Sequence, residues 1–151
     1  MRAVLKKSGK IEEQQAIKWI MQVANAIECI HSKNYIHRDI KPDNILLMNK
    51  DELKICISDL GLACLTTDEV ETKLKCGTPG YVAPDVLKGS PFTTKSDIFS
   101  IGSFFFNLIT NSNLFQGKNG KEMIVANKYT NPFTAIQMKV NHVSPECKQL
   151  L

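Results

Sequence analysis

Four polar side chains in one part of the sequence have the types and spacing to carry out chemistry together. Asp39, Lys41 and Asn44 lie within six residues, and Asp59 follows fifteen residues after Asn44. A carboxylate can accept a hydroxyl proton, an ammonium group can neutralise an anion, and carboxylate and amide oxygens are ligands suited to Mg²⁺. Transfer of a phosphoryl group needs these groups, because the protein has mainly to position the reactants and neutralise their charge.

Each of these residues also has a structural interpretation. A lone aspartate in a loop usually forms a turn or caps a helix. Lys41, taken alone, would be a solvated lysine before a proline, and Asn44 could satisfy the backbone of its loop. Within the run from His37 to Asn44 the chemical interpretation is favoured for Asp39, whereas His37 is expected to be a packed residue that supports the loop.

The apolar pattern predicts the elements that position these residues. Apolar side chains at steps of three and four predict a helix over residues 11–31. Two short apolar runs, at 45–48 and 53–57, flank the turn-forming residues 49–51 and predict a β-hairpin. One arm of this hairpin follows the polar loop and Asp59 follows the other arm, so a local fold brings the candidate residues close together.

The second half of the chain is also predicted to be helical. A broad apolar stripe over 95–110 indicates a central and largely buried helix, and 122–128 forms a weaker pattern. Ser144 is a suitable N-cap for a last helix over 145–151. Residues 66–75 are charged and rich in threonine without a clear period, which predicts an exposed loop. The expected fold is therefore mainly α, with one small hairpin.

Length and composition set limits on the class of protein. The chain has 151 residues, of which 43% are hydrophobic and 23% charged, as is ordinary for one soluble globular domain. Its net charge of +4 suits a phosphate-rich ligand or an acidic partner. A nucleic-acid-binding domain would usually be more basic, so nucleic acid is not an expected partner.

Membrane insertion and metal binding by cysteine are also not expected. The longest apolar stretch, at 98–109, contains polar residues and is too short to span a bilayer. Residues 1–10 lack the apolar core of a secretory signal, so we expect a cytoplasmic or nuclear location. The five cysteines form no CxxC pair, and without a signal they are expected to be reduced thiols.

The motifs, taken in order, resemble those of the eukaryotic protein kinase family. Residues 37–39 with Asn44 match its catalytic loop, 59–61 match its magnesium loop, and 83–85 match the end of its activation segment. Residues 96–102 resemble the start of its central helix. The resemblance covers nearly the whole chain, and four motifs in the family's order are a strong match.

This resemblance implies the mainly α large lobe, which is the C-terminal lobe of a protein kinase. Residues 1–151 would form a partial kinase domain that runs from about the fourth helix of the fold to the start of the eighth. The chain has no Gly-rich phosphate loop before residue 37 and no strand with the lysine that binds the α- and β-phosphates. We therefore expect the small N-terminal lobe to be absent.

The resemblance also implies an activity and its cofactors, ATP and Mg²⁺. Asp39 would be the catalytic base, and Lys41 would contact the γ-phosphate of ATP. Asn44 and Asp59 would bind the metal ion and, through it, the nucleotide. A lysine two places after Asp39 resembles the serine/threonine kinases, and residues 76–87 are most similar to the calmodulin-dependent group. The expected partner is thus a protein with a serine or threonine acceptor.

Two further roles follow from the same resemblance. Thr78 and Gly80 would form a platform for the substrate chain, with a purely structural hydroxyl as the alternative for Thr78. Asp97 would be a scaffold residue, because a buried carboxylate needs partners and the backbone of the loop at 37–39 would supply them.

Arg38 and the threonines of the predicted loop indicate regulation. In the family, an arginine at this place can pair with a phosphate on the activation segment. Thr66, Thr67 and Thr72 are the available acceptors, and Thr72 is the predicted regulatory residue. The alternative is that these are ordinary loop threonines.

Two functions therefore remain open from the sequence. The first is an ATP-dependent protein serine/threonine kinase, since Asp39, Lys41, Asn44 and Asp59 are all present. The second is a kinase-derived binding module that transfers nothing, since ATP would lose about half of its walls without a small lobe and the site would stay wet.

Overall fold

A computed structural model of the chain describes residues 1–49 and 54–151. The helices within these ranges are α1 Arg2–Ser8, α2 Glu13–His31, α3 Pro84–Leu87, α4 Thr94–Thr110, α5 Gly120–Tyr129, α6 Pro132–Lys139 and α7 Pro145–Gln149. The strands are β1 Tyr35–Ile36, β2 Ile45–Asn49, β3 Lys54–Ile57 and β4 Cys64–Leu65. Short 3-10 turns cover Pro42–Asn44 and Glu71–Lys73. The fold is mainly α with a small hairpin, as the sequence predicts.

The main predicted elements are confirmed, with small shifts at their ends. α2 and α4 correspond to the two long predicted helices, and α5 extends the weaker pattern at both ends. Strands β2 and β3 pair antiparallel and form the predicted hairpin. The predicted turn at 49–51 lies partly outside the described residues. α7 begins as predicted, because the Ser144 side chain accepts a hydrogen bond from the Cys147 backbone N–H.

Helix α6 is an element that the apolar pattern did not predict. Ile136 is its one buried residue, so its apolar side chains do not form a stripe that faces the core. A local signal for it exists at its N-terminus, where Pro132 occupies the first turn. The Asn131 side chain accepts a 3.0 Å hydrogen bond from the backbone N–H of Phe133.

The core lies where α2 and α4 pack against each other. α2 buries Trp19, Val23 and Ile27, and α4 buries the run Phe104–Phe106 almost completely. Burial of each such side chain stabilises the fold by about 2–3 kcal/mol. α4 is therefore the buried central helix that its broad apolar stripe predicts. Among the described residues, no helix combines the length and hydropathy needed to cross a bilayer.

The first turn of α4 is fixed by a capping box. The Thr93 side chain accepts a hydrogen bond from the backbone of Ser96, and Ser96 Oγ accepts one of 3.0 Å from the backbone N–H of Thr93. Asp97 follows in this first turn, where the helix dipole favours a carboxylate. The capping box thus sets the position of a buried acid beneath the polar loop.

Two short pairs of strands hold the segments that carry the candidate residues. β1 pairs with β4, with Ile36 opposite Cys64, and β2 pairs with β3, with Ile45 opposite Ile57. The polar loop joins β1 to β2, and Asp59 lies in the link from β3 to β4. Both candidate segments therefore begin and end in paired strands.

Candidate active site

The carboxylate of Asp39 is the centre of a closed set of hydrogen bonds. Thr78 Oγ1 donates a 2.6 Å hydrogen bond to Asp39 Oδ1, and Lys41 Nζ donates one of 2.7 Å to Asp39 Oδ2. Lys41 Nζ also donates to Thr78 Oγ1 at 2.9 Å. Asp39 is only 6% exposed. A base, an ammonium group and a hydroxyl from two distant segments therefore meet at one point.

Asn44 packs against the same aspartate from the 3-10 turn that ends the loop. Its Nδ2 donates to the Asp39 backbone oxygen at 2.9 Å and to Asp39 Oδ2 at 3.1 Å. The amide is largely buried. Because its nitrogen is turned towards Asp39, the Oδ1 oxygen is the atom available to a cation.

Asp59 lies next to Asn44 because the hairpin brings their backbones together. The N–H and hydroxyl of Ser58 both donate to the Asn44 carbonyl oxygen, at 2.8 and 3.0 Å. Asp59 then turns with a left-handed backbone, φ 66°, and its Oδ1 accepts a 3.2 Å hydrogen bond from the Gly61 N–H. Its side chain is exposed to solvent. The structure thus brings Asp39, Asn44 and Asp59 into one neighbourhood.

The loop is held from below by Asp97, which is fully buried. Asp97 Oδ2 accepts from the backbone N–H of His37, and Oδ1 accepts from that of Arg38, both at 2.9 Å. This confirms the predicted partners of the buried acid. His31 Nε2, at the end of α2, lies 2.8 Å from Asp97 Oδ2 and completes the carboxylate's set of partners.

His37 and Arg38 show how tightly the loop is built. His37 is fully buried, and its Nδ1 accepts a 3.3 Å hydrogen bond from the Asp39 N–H. This arrangement agrees with a supporting role for His37. Arg38 has a left-handed backbone, φ 66°, which non-glycine residues adopt where the surrounding structure compels it. The strained residue directly precedes the candidate base.

The Arg38 side chain extends to the segment that follows Asp59. Its Nε donates to the Leu62 carbonyl oxygen, Nη1 donates to the Glu71 carbonyl oxygen, and Nη2 donates to Glu71 Oε2 at 3.0 Å. The guanidinium carbon lies 5.7 Å from the centre of the Phe92 ring. The acidic partner of Arg38 in this structure is thus a glutamate.

The predicted exposed loop at 66–75 contains one buried residue, and Glu71 beside it is half-buried. Thr72 is only 5% exposed, and its carbonyl oxygen accepts a 2.7 Å hydrogen bond from the Phe92 N–H. Thr66 and Thr67 are exposed. The apolar pattern did not indicate a buried residue here, because Thr72 is covered by contacts distant in sequence. Its regulatory role stays a prediction, and it would require the segment to open.

The segment with Thr78 and Gly80 rests on the loop and on α4. A Cβ added to Gly77, which has φ 90°, would lie 2.9 Å from the Arg38 carbonyl oxygen, so this position needs glycine. Ser103 Oγ donates to the Gly80 carbonyl oxygen at 2.7 Å. Helix α4 therefore fixes the position of the Gly80 backbone relative to Asp39.

A cavity of about 390 Å³ opens beside this platform. Apolar side chains form most of its wall, and the lysines at 73 and 75 are its charged residues; the lining comprises Lys73, Leu74, Lys75, Cys76, Gly77, Pro79, Val82, Val86, Leu87, Gly89, Ser90 and Ile124. Burial raises the pKa of the Cys76 thiol, so Cys76 is not an activated nucleophile. The cavity therefore combines an apolar wall with two cationic side chains.

The family of the chain follows from comparison with known proteins. All of residues 1–151 match the family model described as protein kinase domain. The chain belongs to the eukaryotic serine/threonine protein kinase family. It is 40% identical over 124 residues to the probable serine/threonine-protein kinase 2 of Plasmodium falciparum (isolate K1 / Thailand). The aligned region covers 82% of this chain and 24% of that protein.

Two further relatives give the same result. The chain is 44% identical over 102 residues to the calcium/calmodulin-dependent protein kinase type 1 of Caenorhabditis elegans, covering 67% of this chain and 29% of that protein. It is 36% identical over 147 residues to the CBL-interacting serine/threonine-protein kinase 5 of Arabidopsis thaliana, covering 95% and 32%. This kinase chain thus spans between 24% and 32% of the length of these relatives.

Two partners in the kinase site were missed by the sequence analysis. His31 contacts Asp97 across 66 positions, and Glu71 contacts Arg38 across 33 positions. No local pattern marks either residue, because both face their partners only after the helices and the segment after Asp59 have folded. From the sequence, no lysine or arginine was assigned to the buried acid Asp97. That missing cation is the signal that could have pointed to a histidine partner.

The oxygen atoms of the kinase site fit a magnesium ion that is bound together with a nucleotide. The Asp59 carboxylate is exposed and the Asn44 amide turns its oxygen away from Asp39. No group of three or more His, Cys, Asp or Glu residues that could hold a metal ion occurs in the described ranges. Two protein oxygens leave the remaining positions of an octahedral ion to phosphate and water, as Mg²⁺ prefers.

Proposed function

We propose that this chain is the large-lobe part of a kinase domain that transfers the γ-phosphate of ATP to a serine or threonine hydroxyl of a protein. The observation that carries this proposal is the set of hydrogen bonds among Asp39, Lys41 and Thr78. The Asp39 carboxylate is positioned to accept or orient the proton of the attacking hydroxyl. The substrate hydroxyl would replace the Thr78 hydroxyl as one of its donors or join it there.

Lys41 would neutralise charge on the transferred group. Its Nζ lies between Asp39 Oδ2 and Thr78 Oγ1, so the ammonium group is held close to the base and not in bulk solvent. A lysine at this place acts as a point charge towards a phosphate oxygen. Its hydrogen bond to Asp39 Oδ2 also holds the carboxylate in place before the substrate arrives.

Asn44 and Asp59 would hold Mg²⁺ and, through it, the phosphates of ATP. When bound, the ion would neutralise charge that develops on the phosphate oxygens. The chain's own contribution is orientation: the Ser58 hydrogen bonds to Asn44 fix the distance between the two ligand segments. The serine/threonine class of the relatives supports the acceptor specificity.

The cavity beside the platform supports a protein substrate. Gly77 and Pro79 line it on both sides of Thr78, whose hydroxyl bonds to Asp39. An extended chain advances about 3.3–3.6 Å per residue, so a side chain in the cavity would belong to a residue close to the acceptor. The lysines at 73 and 75 would favour an acidic residue beside it.

A transfer assay with labelled ATP tests this proposal. The purified chain is incubated with Mg²⁺, labelled ATP and a mixed protein substrate, in parallel with Asp39→Asn and with Asp59→Asn. We expect Mg²⁺-dependent nucleotide binding that Asp59→Asn abolishes, and a low rate of transfer that Asp39→Asn abolishes. The rate is expected to be low because this chain contains no Gly-rich loop and no second phosphate-binding lysine.

A binding module that transfers nothing is the second candidate. Leu46 and Met48 on β2, which follows Asn44, and Leu60, which follows Asp59, are 43%, 62% and 60% exposed. A second cavity of about 360 Å³ includes Leu60 and Tyr35 in its wall. Apolar surface of this kind is suited to a protein partner. Absence of nucleotide binding, together with no transfer above the level of Asp39→Asn, would favour this candidate over the first.

A further inference from the structure

The Arg38 guanidinium group has no free nitrogen. Nε, Nη1 and Nη2 each donate a hydrogen bond, to the Leu62 carbonyl oxygen, the Glu71 carbonyl oxygen and the Glu71 carboxylate respectively. The side chain is 3% exposed and lies over the Phe92 ring. A buried arginine needs such partners, because an unpaired buried charge is strongly unfavourable.

Glu71 is placed to satisfy this arginine and to shape the segment around it. It begins the 3-10 turn Glu71–Lys73, and its carbonyl oxygen also accepts a 3.1 Å hydrogen bond from the Leu74 N–H. Its carboxylate lies 3.0 Å from Arg38 Nη2. Glu71 thus binds Arg38 through both its backbone and its side chain.

We propose that the Glu71 carboxylate takes the place of a phosphate at Arg38, so that the segment 62–74 is ordered without phosphorylation. This inference rests on the proposed function, because it concerns the regulation of the same site. A phosphate added to this segment would meet an arginine whose three nitrogens each already donate a hydrogen bond, with the like-charged Glu71 carboxylate beside it. Thr72 is buried, so a phosphate there would also require the segment to open.

Glu71 would act on the site as a positioning residue. Arg38 is joined to Asp97 by its backbone N–H, and the next residue is the base Asp39. Leu62, the third residue after Asp59, accepts from the Arg38 side chain. A fixed Arg38 therefore connects the segment of Glu71 with the loop of the base and with the magnesium segment.

Hydrogen–deuterium exchange on the full chain tests the proposal. The chain is treated with a phosphatase, and intact-mass measurement confirms that it carries no phosphate. Exchange is then compared among the wild type, Glu71→Gln and Glu69→Gln. Glu69 is the matched control, because it lies two residues away and its side chain is 89% exposed with a 3.9 Å contact to Lys73. Glu71→Gln retains the shape of the side chain and the backbone acceptor and removes the charge.

The amides of 62–74 report on the proposal, and those of α2 report on the global fold. We expect protection of 62–74 in the unphosphorylated wild type and in Glu69→Gln, and roughly tenfold faster exchange in Glu71→Gln, with α2 unchanged. Equal exchange in the two variants would overturn the proposal. An unprotected wild-type segment that becomes protected after phosphorylation of Thr66 or Thr67 would also overturn it.

A conservative variant covers the case in which Glu71→Gln loosens the whole chain. If α2 also loses protection, Glu71→Asp is measured, because it restores the negative charge. Protection of 62–74 within about threefold of the wild type supports the role of the charge, and exchange as fast as in Glu71→Gln overturns it. The measurement needs no turnover. Failure here would leave the phosphoryl-transfer proposal intact, and failure of the transfer assay would leave the exchange result intact.

Discussion

The Thr78 hydroxyl donates a 2.6 Å hydrogen bond to Asp39 Oδ1, although 39 positions separate the two residues. Lys41 donates to both of them. The loop of Asp39 and the segment of Thr78 are therefore joined by side chains. These hydrogen bonds should contribute to the free energy of unfolding of the chain in the absence of any substrate.

Removal of the Thr78 hydroxyl is expected to destabilise the chain. Thr78→Ala leaves Asp39 and Lys41 without their shared partner, and we expect the free energy of unfolding to fall by about 1–2 kcal/mol. Thr78→Ser is the matched control, because it retains the hydroxyl and should remain within about 0.5 kcal/mol of the wild type. Urea unfolding measures both. Equal losses in the two variants would show that the methyl group, and not the hydrogen bond, matters.

The sequence predicted this centre in part because most of it is local. Asp39, Asn44 and Asp59 are connected by one short loop and one hairpin, so their proximity needs no assumption about distant pairing. The structure brings the three together through the Ser58 contacts to Asn44. The apolar stripe of α4 was likewise enough to predict that this helix is buried, since a helix with apolar residues around most of its circumference must be buried.

Other features could not be predicted because they depend on which distant segments meet. Glu71 is one of several acids in a charged stretch, and only the folded chain brings it to Arg38. Thr72 lies in the same stretch and becomes buried when Phe92 pairs with it. α6 was missed for a different reason: its outward side chains are apolar, so its pattern lacks a contrast between faces.

Loss of the Asp97 charge is expected to be severe. Asp97→Asn removes a fully buried carboxylate that accepts from two backbone N–H groups and lies against His31. We expect a loss of about 3 kcal/mol, since one amide group cannot accept at both oxygen positions. Asp85→Asn is the control, because Asp85 is exposed, and it should change stability by less than about 0.5 kcal/mol. Similar results for both variants would contradict the scaffold role.

Stability should depend on pH through Glu13, which joins α2 to α7. The Ser144 hydroxyl and its N–H, the latter at 2.9 Å, donate to the Glu13 carboxylate and hold its pKa below its ordinary value of 4.5. Because the folded-state pKa is lowered, this contribution is present above the ordinary value and is lost as the pH falls through the folded pKa. Acid should therefore weaken the contact between Glu13 and the first turn of α7.

Acid titration of variants checks this dependence. Trp19 is the single tryptophan and is buried, so its fluorescence reports unfolding. Glu13→Gln should be less stable than the wild type near neutral pH, and this difference should shrink as the pH falls below the ordinary pKa of 4.5 and through the lowered folded-state pKa. Glu28→Gln, at an exposed position of the same helix, should follow the wild type throughout. An acid dependence that is the same in Glu13→Gln and in the wild type would show that Ser144 does not bind the carboxylate.

The two lysines that line the cavity beside Thr78 should select acidic substrate segments. Lys73 and Lys75 line this cavity, both are exposed, and no acid is among its lining residues. The double variant Lys73→Glu, Lys75→Glu is expected to weaken binding of a serine peptide with adjacent leucine and aspartate residues by roughly tenfold at low salt. Fluorescence anisotropy with a labelled peptide measures this change. The same peptide with lysine in place of aspartate should bind the variant more tightly than the wild type.

Lys33 provides the control for this charge reversal. It lines the second cavity, away from the platform, so Lys33→Glu changes the net charge without changing the proposed substrate site. Lys33→Glu changes the net charge half as much as the double variant does. If it weakened binding of the acidic peptide in the same proportion to its change in charge, the effect would come from overall charge and the platform would not select the peptide. Selection by the platform requires that the two peptides respond in opposite directions to the double variant, and that added salt reduces both responses.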